Sequence, residues 1–345
     1  VLGGRLTMAK IKRLFNDPYD IVEEMVEGYV GAHKQYVKMC DLDEAQGRVV
    51  LANDAGTKDK VGVIIGGGSG HEPLFIGYVG EDFADAVVIG NINTSPSPDP
   101  CYAAAKACDN GKGCIYLYGN YAGDVMNFDM GAEKADEEDD IRVETVLVTD
   151  DVVSSENIPD RRGIAGDFFV FKVAGAKAAT GADLDEVVAA AQKANDNTRS
   201  MGVAMSSATL PAKGGTIFDM EDGDMEIGMG IHGEPGIRRG KIDTADNVID
   251  EIMEPILKDL PYVEGDEVYV LVNSLGATPL IDLHVCYRRV AQILEEKGIK
   301  VYKALVGPFA CSMDMAGMSV TLMKLDDELK ELMDAPCDTP YFTQK

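Results

Sequence analysis

Apolar residues recur along this chain with two alternating periods. Over residues 20–38 (DIVEEMVEGYVGAHKQYVK) they fall at 21, 22, 25, 26, 30 and 37, which predicts one face of a helix. Residues 61–65 (VGVII) form a short apolar run that predicts a strand ending at Gly66, Gly67 and Gly68. Residues 86–89 (AVVI), 113–118 (GCIYLY) and 144–149 (ETVLVT) predict three more strands. Helices are predicted over 100–109, 167–180 and 183–198, and Asp183 with Glu186 forms a capping-box pattern. Strand, loop, helix, strand is the rhythm of an α/β domain.

The pattern changes near residues 199–202. Beyond it, 203–210 (VAMSSATL) and 225–231 (MEIGMGI) predict strands, and 230–236 (GIHGEPG) a glycine loop. A helix over 243–260, a strand over 267–272, a helix over 279–297 and a strand over 300–306 complete a second α/β unit. The predicted division is residues 12–198 and 199–345, with 1–11 set aside as a leader or remnant. No internal repeat emerges. The run 133–140 (EKADEEDD) predicts a solvated surface.

The length of 345 residues suits two domains of ordinary size. Thirty-two lysines and arginines against 59 aspartates and glutamates give a net charge of −27. That balance argues against nucleic acid and against an anionic membrane surface, both of which need basic patches. The seven cysteines show no paired CxxC, so free buried thiols are expected and neither a disulfide framework nor a metal site. No apolar run approaches the ~18 residues of a membrane span, and no signal pattern opens the chain. A cytoplasmic protein is expected.

Ligands of open α/β sheets bind beyond the carboxyl ends of the strands. Three predicted loops lie there, at 66–73, 91–100 and 120–128, all rich in small or turn-forming residues. Of four histidines, His33 and His284 fall inside predicted helices and read as ordinary. His71 (GSGHEP, 68–73) and His232 (GIHGEP, 230–235) each sit on a glycine loop and each precede a Glu-Pro pair. Two such imidazoles, one per half, can converge on a cleft; equally, both can be turn histidines without a ligand. The GGGSG run at 66–70 lacks the GK[ST] ending of a nucleotide loop, and Pro73 follows at once. It reads as a backbone cradle for a small polar ligand. Asp124, in GNYAGDVMNF (119–128), can cap a following helix or serve as a general base.

Taken in order, GGGSGHEP, the TSPSPD loop, GNYAGDVMNF and MEIGMGIHGEPG resemble the dihydroxyacetone kinase family, and within it the DhaK-type substrate-binding subunit. The resemblance runs from about residue 12 to about 339. It implies two α/β domains with mixed sheets, usually in a homodimer. It matches His232 to a histidine that adds through Nε2 to a substrate carbonyl, giving a hemiaminal. Asp124 matches the carboxylate that accepts the proton of the hydroxyl to be phosphorylated, and His71 a histidine hydrogen-bonded to substrate. Gly68, Ser69 and Gly70 correspond to the adjoining wall, and Thr94, Ser95 and Gly119 to the same pocket. Covalent capture would separate ketones from plain polyols and fix the substrate for transfer.

The implied substrate is dihydroxyacetone or a related short ketose. Some family members place a lysine where this chain has Gly119, so a cationic contact is missing, and a roomier pocket for a ketose such as erythrulose is an alternative. Neither a Walker motif nor an acidic magnesium cluster stands out, so no cofactor is expected in this chain. ADP or ATP with magnesium is expected on a separate nucleotide-binding subunit, recharged in some systems by a histidine-bearing phosphotransferase-system protein. A ketone-sensing co-activator without catalysis is a second alternative; an unrelated lipid carrier would leave the loop motifs unexplained.

Overall fold

The computed structural model describes residues 13–345; the leader predicted over 1–11, and residue 12, lie outside the described residues. The first half contains α1 (Ile21–His33), β1 (Val37–Met39), β2 (Val49–Ala52), β3 (Gly62–Ser69), β4 (Ala86–Ile92) and α2 (Pro98–Cys108). It continues with β5 (Cys114–Gly119), α3 (Ala122–Asp139), β6 (Val143–Val148), α4 (Asp167–Ala179) and α5 (Leu184–Asp196). The second half opens with β7 (Thr198–Ala204), a small ribbon of β8 (Thr209–Leu210) and β9 (Gly215–Thr216), β10 (Asp224–Ile227) and β11 (Arg238–Lys241). Then come α6 (Ala245–Asp259), β12 (Glu267–Ser274), α7 (Leu280–Glu296), β13 (Lys300–Gly307), β14 (Gly317–Leu325) and α8 (Asp327–Asp334). A last ribbon pairs β15 (Cys337–Asp338) with β16 (Thr343–Gln344).

Two six-stranded mixed sheets result, in the orders β1-β2-β4-β3-β5-β6 and β11-β10-β7-β14-β12-β13. In the first sheet β4, β3, β5 and β6 are parallel, and β2 and β1 extend the β4 edge antiparallel. The chain leaves β3 for β4 on one side and leaves β5 for β6 on the other. The crevice of this switch point therefore opens beyond the carboxyl ends of β3 and β5. In the second sheet only β12 and β13 are parallel.

Helix α4 joins the halves. Its sequence, DFFVFKVAGAKAA, is mostly apolar round the helix, and nearly all of its residues, Asp167 and Lys172 included, are buried. It packs on β3 and β5 and on α8. Its Phe169 ring meets Tyr269 of β12 at 5.2 Å, while Phe168 meets Phe309 at 5.1 Å. One core consequently runs from the first sheet through α4 to residues of β12 and β14 such as Leu271 and Met323. The buried Lys172 ammonium donates to the Leu332 and Ala335 carbonyls at 3.0 and 2.9 Å, satisfying the end of α8.

Several predicted elements stand as read, including the Asp183 capping box, whose two hydrogen bonds measure 2.9 and 3.0 Å. Others shift. The glycines predicted to end β3 belong to the strand, because a Cβ at Gly66 would stand 2.5 Å from the Val88 carbonyl oxygen of β4. Residues 120–128 are not a loop: α3 begins at Ala122, and the acidic run forms its exposed last turns. The strand predicted over 203–210 is displaced to 198–204, and that over 225–231 stops at Ile227. Strands β2 and β14 and helix α8 arise where no element was predicted.

Gly175 of α4 tests how tightly the helix is clamped. A Cβ there would lie 2.0 Å from the Phe83 carbonyl oxygen. Elsewhere in a helix, Gly→Ala stabilises by about 1 kcal/mol. Here Gly175→Ala should destabilise by about 1–3 kcal/mol through overpacking. Urea unfolding should show a lower midpoint at an unchanged slope.

Candidate active site

His71 follows β3 and belongs to the first half. Its loop is bound to the second half by two backbone hydrogen bonds, Met313 N–H to the Gly70 carbonyl at 2.7 Å and Cys311 N–H to the His71 carbonyl at 3.1 Å. Gly70 has φ +102°, a conformation suited to glycine, and its N–H is taken by the Glu72 carboxylate at 3.0 Å. The His71 ring is 1% exposed, and its Nδ1 donates to the Cys311 carbonyl at 2.8 Å. A carbonyl can only accept, so His71 Nε2 presents its lone pair unless the ring is charged. Burial and then the neighbouring His232 lower its pKa to about 3, so His71 holds a second proton poorly.

His232 comes from the loop after β10. Its Nε2 lies 3.0 Å from His71 Nε2, with the rings nearly perpendicular. Its Nδ1 donates to Glu234 Oε1 at 3.1 Å, and its backbone N–H to Glu234 Oε2 at 3.0 Å. One carboxylate thus fixes both the ring and its main chain. Burial alone would raise the Glu234 pKa, but the bonds from His232, its own backbone N–H and nearby Arg162 outweigh it and bring it to about 2. Arg162 is held in turn by Asp151 at 2.7 Å. The Tyr121 ring stands edge-on to His232 with centroids 4.5 Å apart, and its hydroxyl donates to the Gly163 carbonyl at 2.9 Å.

With both Nδ1 atoms placed as donors, two neutral rings set their Nε2 lone pairs against each other at 3.0 Å. A single proton between them would turn the contact into a hydrogen bond, with the Glu234 carboxylate as counter-ion.

Asp124 lines the same small cavity as this pair. The capping expectation is corrected: Tyr121 occupies the N-cap of α3, and Asp124 is the third helical residue with no capping bond. Its Oδ1 is buried without a partner. Burial raises its pKa to about 6, opposed by the Ser95 hydroxyl and by His232. It is thus a carboxylate with an unused acceptor atom in the same cavity as the two imidazoles.

Of the nine expected site residues, Gly68, His71, Gly119, Asp124 and His232 line the cavity, and the other four fall outside its lining. The Ser69 hydroxyl turns away to the Gly90 carbonyl at 2.8 Å, and Gly70 serves the loop turn. Thr94 packs its backbone behind Gly68, where a Cβ would approach its nitrogen to 2.8 Å. Ser95 bonds the Pro96 carbonyl and the Asn127 amide. At Gly119 the space is tight: a Cβ there would meet the Tyr121 ring at 3.1 Å and the Gly163 oxygen at 3.2 Å.

The structure adds Phe75, Tyr121, Ile231 and Asp167 to the lining and Glu234 and Arg162 behind it. Phe75 adopts φ +68°, a strained conformation for an aromatic residue, and its ring fills the space beside Gly67. Glu234 was visible as a partner in the HGEP motif. Asp167 was visible as one charged residue opening an otherwise apolar helix.

This α/β architecture, with a histidine pair and a carboxylate at a switch-point crevice, defines a small-molecule-binding protein with catalytic groups. Residues 27–341 match the Dak1 domain, and the chain belongs to that family. It is 60% identical over 332 residues to the PTS-dependent dihydroxyacetone kinase 2, dihydroxyacetone-binding subunit DhaK, of Listeria innocua, covering 96% of this chain and 99% of that protein. It is 43% identical to the L-erythrulose 1-kinase of Mycolicibacterium smegmatis, across 95% of this chain and 57% of that longer protein. The crystal structure of the dihydroxyacetone kinase from C. freundii with AMP-PNP and magnesium superposes with a TM-score of 0.84 at 31% identity, covering 96% of this chain and 61% of that one.

The raised pKa of Asp124 has a stability consequence. The folded protein holds this proton more tightly than the unfolded chain, so the cost of ionising Asp124 is small below pH 3.8 and complete above about pH 6. Asp124→Asn should raise stability at pH 7 by about 2–3 kcal/mol, and at pH 4 by less than about 1 kcal/mol. Urea midpoints at the two pH values measure the difference.

Proposed function

We propose that this chain is the dihydroxyacetone-binding subunit of a phosphotransferase-system-dependent dihydroxyacetone kinase. It captures the ketone covalently on His232 and presents one hydroxyl for phosphoryl transfer. The observation that carries the reading is the His71–His232 contact at 3.0 Å, backed by Glu234, with Asp124 and its free buried Oδ1 in the same small cavity. The Listeria relative, matched over nearly its whole length, favours dihydroxyacetone over a four-carbon ketose. The tight space at Gly119 agrees with that preference.

In this reading the shared proton is the one the carbonyl needs. The Nε2 lone pair of His232 bonds to the carbonyl carbon as the C=O π pair moves to oxygen. The proton between the imidazoles moves onto His71 Nε2 as the His232 lone pair is freed, and passes from there to that oxygen; burial makes protonated His71 a strong acid. The product is a hemiaminal whose charged imidazolium ring keeps Nδ1–H on the Glu234 carboxylate. Total charge is unchanged, since the proton lost by the pair is balanced by the new cation. Glycerol has no carbonyl and cannot enter this step.

The captured ketose then offers a terminal hydroxyl to Asp124, which accepts its proton as the phosphoryl group arrives. With a pKa near 6, Asp124 is ionised at neutral pH and weakly basic enough to release the proton again. The phosphoryl group would come from ATP held with magnesium on a separate nucleotide-binding subunit, leaving ADP there to be exchanged or recharged in place by a phosphotransferase-system protein. Retention of a carboxylate with a free buried oxygen favours this over a sensing role, because ketone recognition alone requires no base.

Crystals soaked with dihydroxyacetone should show continuous density from His232 Nε2 to the substrate carbon. His232→Ala and soaks with glycerol should show none. An empty His232 in well-formed wild-type crystals would sink the mechanism.

Glu234→Gln removes the negative charge that the adduct's imidazolium needs. A charge-assisted hydrogen bond contributes about 1.5–3 kcal/mol, so dihydroxyacetone binding should weaken roughly 10- to 100-fold. Calorimetric titration of the folded variant reads this directly; wild-type affinity would remove Glu234 from the mechanism.

A further inference from the structure

The cavity contains a second carboxyl that none of these steps uses. Asp167 is the first residue of α4 and is 1% exposed. It lines the cavity together with His232 and Asp124, and among the described residues no partner reaches its Oδ1. The local backbone keeps it open. Gly119 and Gly163 pack main chain to main chain, and a Cβ on Gly163 would lie 2.5 Å from Gly119 Cα and 3.1 Å from Asp167 Oδ1. The lack of a side chain at Gly163 therefore leaves room beside this carboxyl. Asp150, the neighbouring buried acid, is occupied: it accepts from the Ile164 and Gly166 N–H groups at 2.8 Å each. Asp167 has no such duty, and a buried polar atom without a partner requires an explanation.

We propose that Asp167 is a substrate-binding residue that holds the non-reacting terminal hydroxyl of the captured ketose. The proposal rests on the reading of His232 as the covalent anchor. Dihydroxyacetone bonded through its central carbon has three oxygens to place. The former carbonyl oxygen faces His71, and the hydroxyl to be phosphorylated faces Asp124. The remaining hydroxyl meets the remaining open carboxyl on the cavity wall. Burial, then the charges of Asp150 and Asp124, hold Asp167 well above the usual carboxylate range. It is a neutral acid with one O–H to donate and a carbonyl oxygen to accept. A hydroxyl has the same pair of functions, so the two match without burying a further charge. A methyl group in that place would leave the Asp167 O–H unpaired, so the residue also sets specificity.

The test compares dihydroxyacetone with hydroxyacetone, which lacks one terminal hydroxyl. In the wild-type protein dihydroxyacetone should bind about 10-fold or more tightly, measured by calorimetric titration. Asp167→Ala should bring the ratio to within about 2-fold by weakening dihydroxyacetone alone, because hydroxyacetone can turn its methyl toward position 167 and keep its hydroxyl on Asp124. With a nucleotide-binding partner present, the loss should fall on KM more than on kcat, since the transferred hydroxyl is untouched. Equal weakening of both ketones would mark a merely structural residue and overturn the proposal. A second measurement does not depend on the variant folding. In a wild-type crystal soaked with dihydroxyacetone, one hydroxyl oxygen should lie within about 3.0 Å of an Asp167 oxygen, the ordinary hydrogen-bond range. Density joined to His232 but with both hydroxyls turned away from Asp167 would overturn this inference alone. Density detached from His232 would overturn the functional reading on which it stands.

Discussion

Burial of α4 on both sides is the constraint on which the rest of the molecule depends. A helix carrying Phe168, Phe169, Val170 and Phe171 in succession has no face to give to water. It must be covered by one sheet on one side and by elements of the second half on the other. That requirement fixes how the two halves meet, and it leaves the N-terminus of the helix at the crevice beyond β3 and β5. The cavity is thus a product of core packing, with Asp167 at the place where the apolar helix begins.

From that packing follows the chemistry of the histidine pair. The second half supplies the Cys311 carbonyl that orients His71, and it supplies His232 itself. Neither ring would have a defined proton arrangement without the other half. The low basicity of His71 and the raised pKa of Asp124 have the same origin: both groups lie in a cavity whose walls admit little solvent. The site stores unfavourable electrostatics in the folded protein, to be relieved when a ligand brings a carbonyl and hydroxyls to the groups that lack partners.

The glycines follow a similar division of labour. Gly66, Gly67 and Gly68 are strand residues whose missing side chains let β4, Phe75 and the Thr94 backbone close in. Gly119 and Gly163 do the same on the opposite wall. The cradle is small because backbones approach closely, and a small cradle suits a short ketose better than a nucleotide.

Much of this was legible in the sequence. Alternating periods gave most strands and helices, since 3.6- and 2-residue repeats record which positions are buried. The loop motifs marked His71, Asp124 and His232, because chemistry-bearing residues flanked by glycine stand out locally. Other features left no local trace. Strand β14 passed unread between loops, although it is central to its sheet, because its neighbours are distant in sequence. The sequence likewise did not tell that the Ser69 hydroxyl points to Gly90 while Asp167 points into the cavity, since direction in a tight loop is set by what packs behind it. Most of all, His71 and His232 are 161 residues apart, and only the joint burial of α4 brings their Nε2 atoms to 3.0 Å. Composition and motif determine which groups are available; tertiary packing decides which of them meet, because that depends on distances no local pattern encodes.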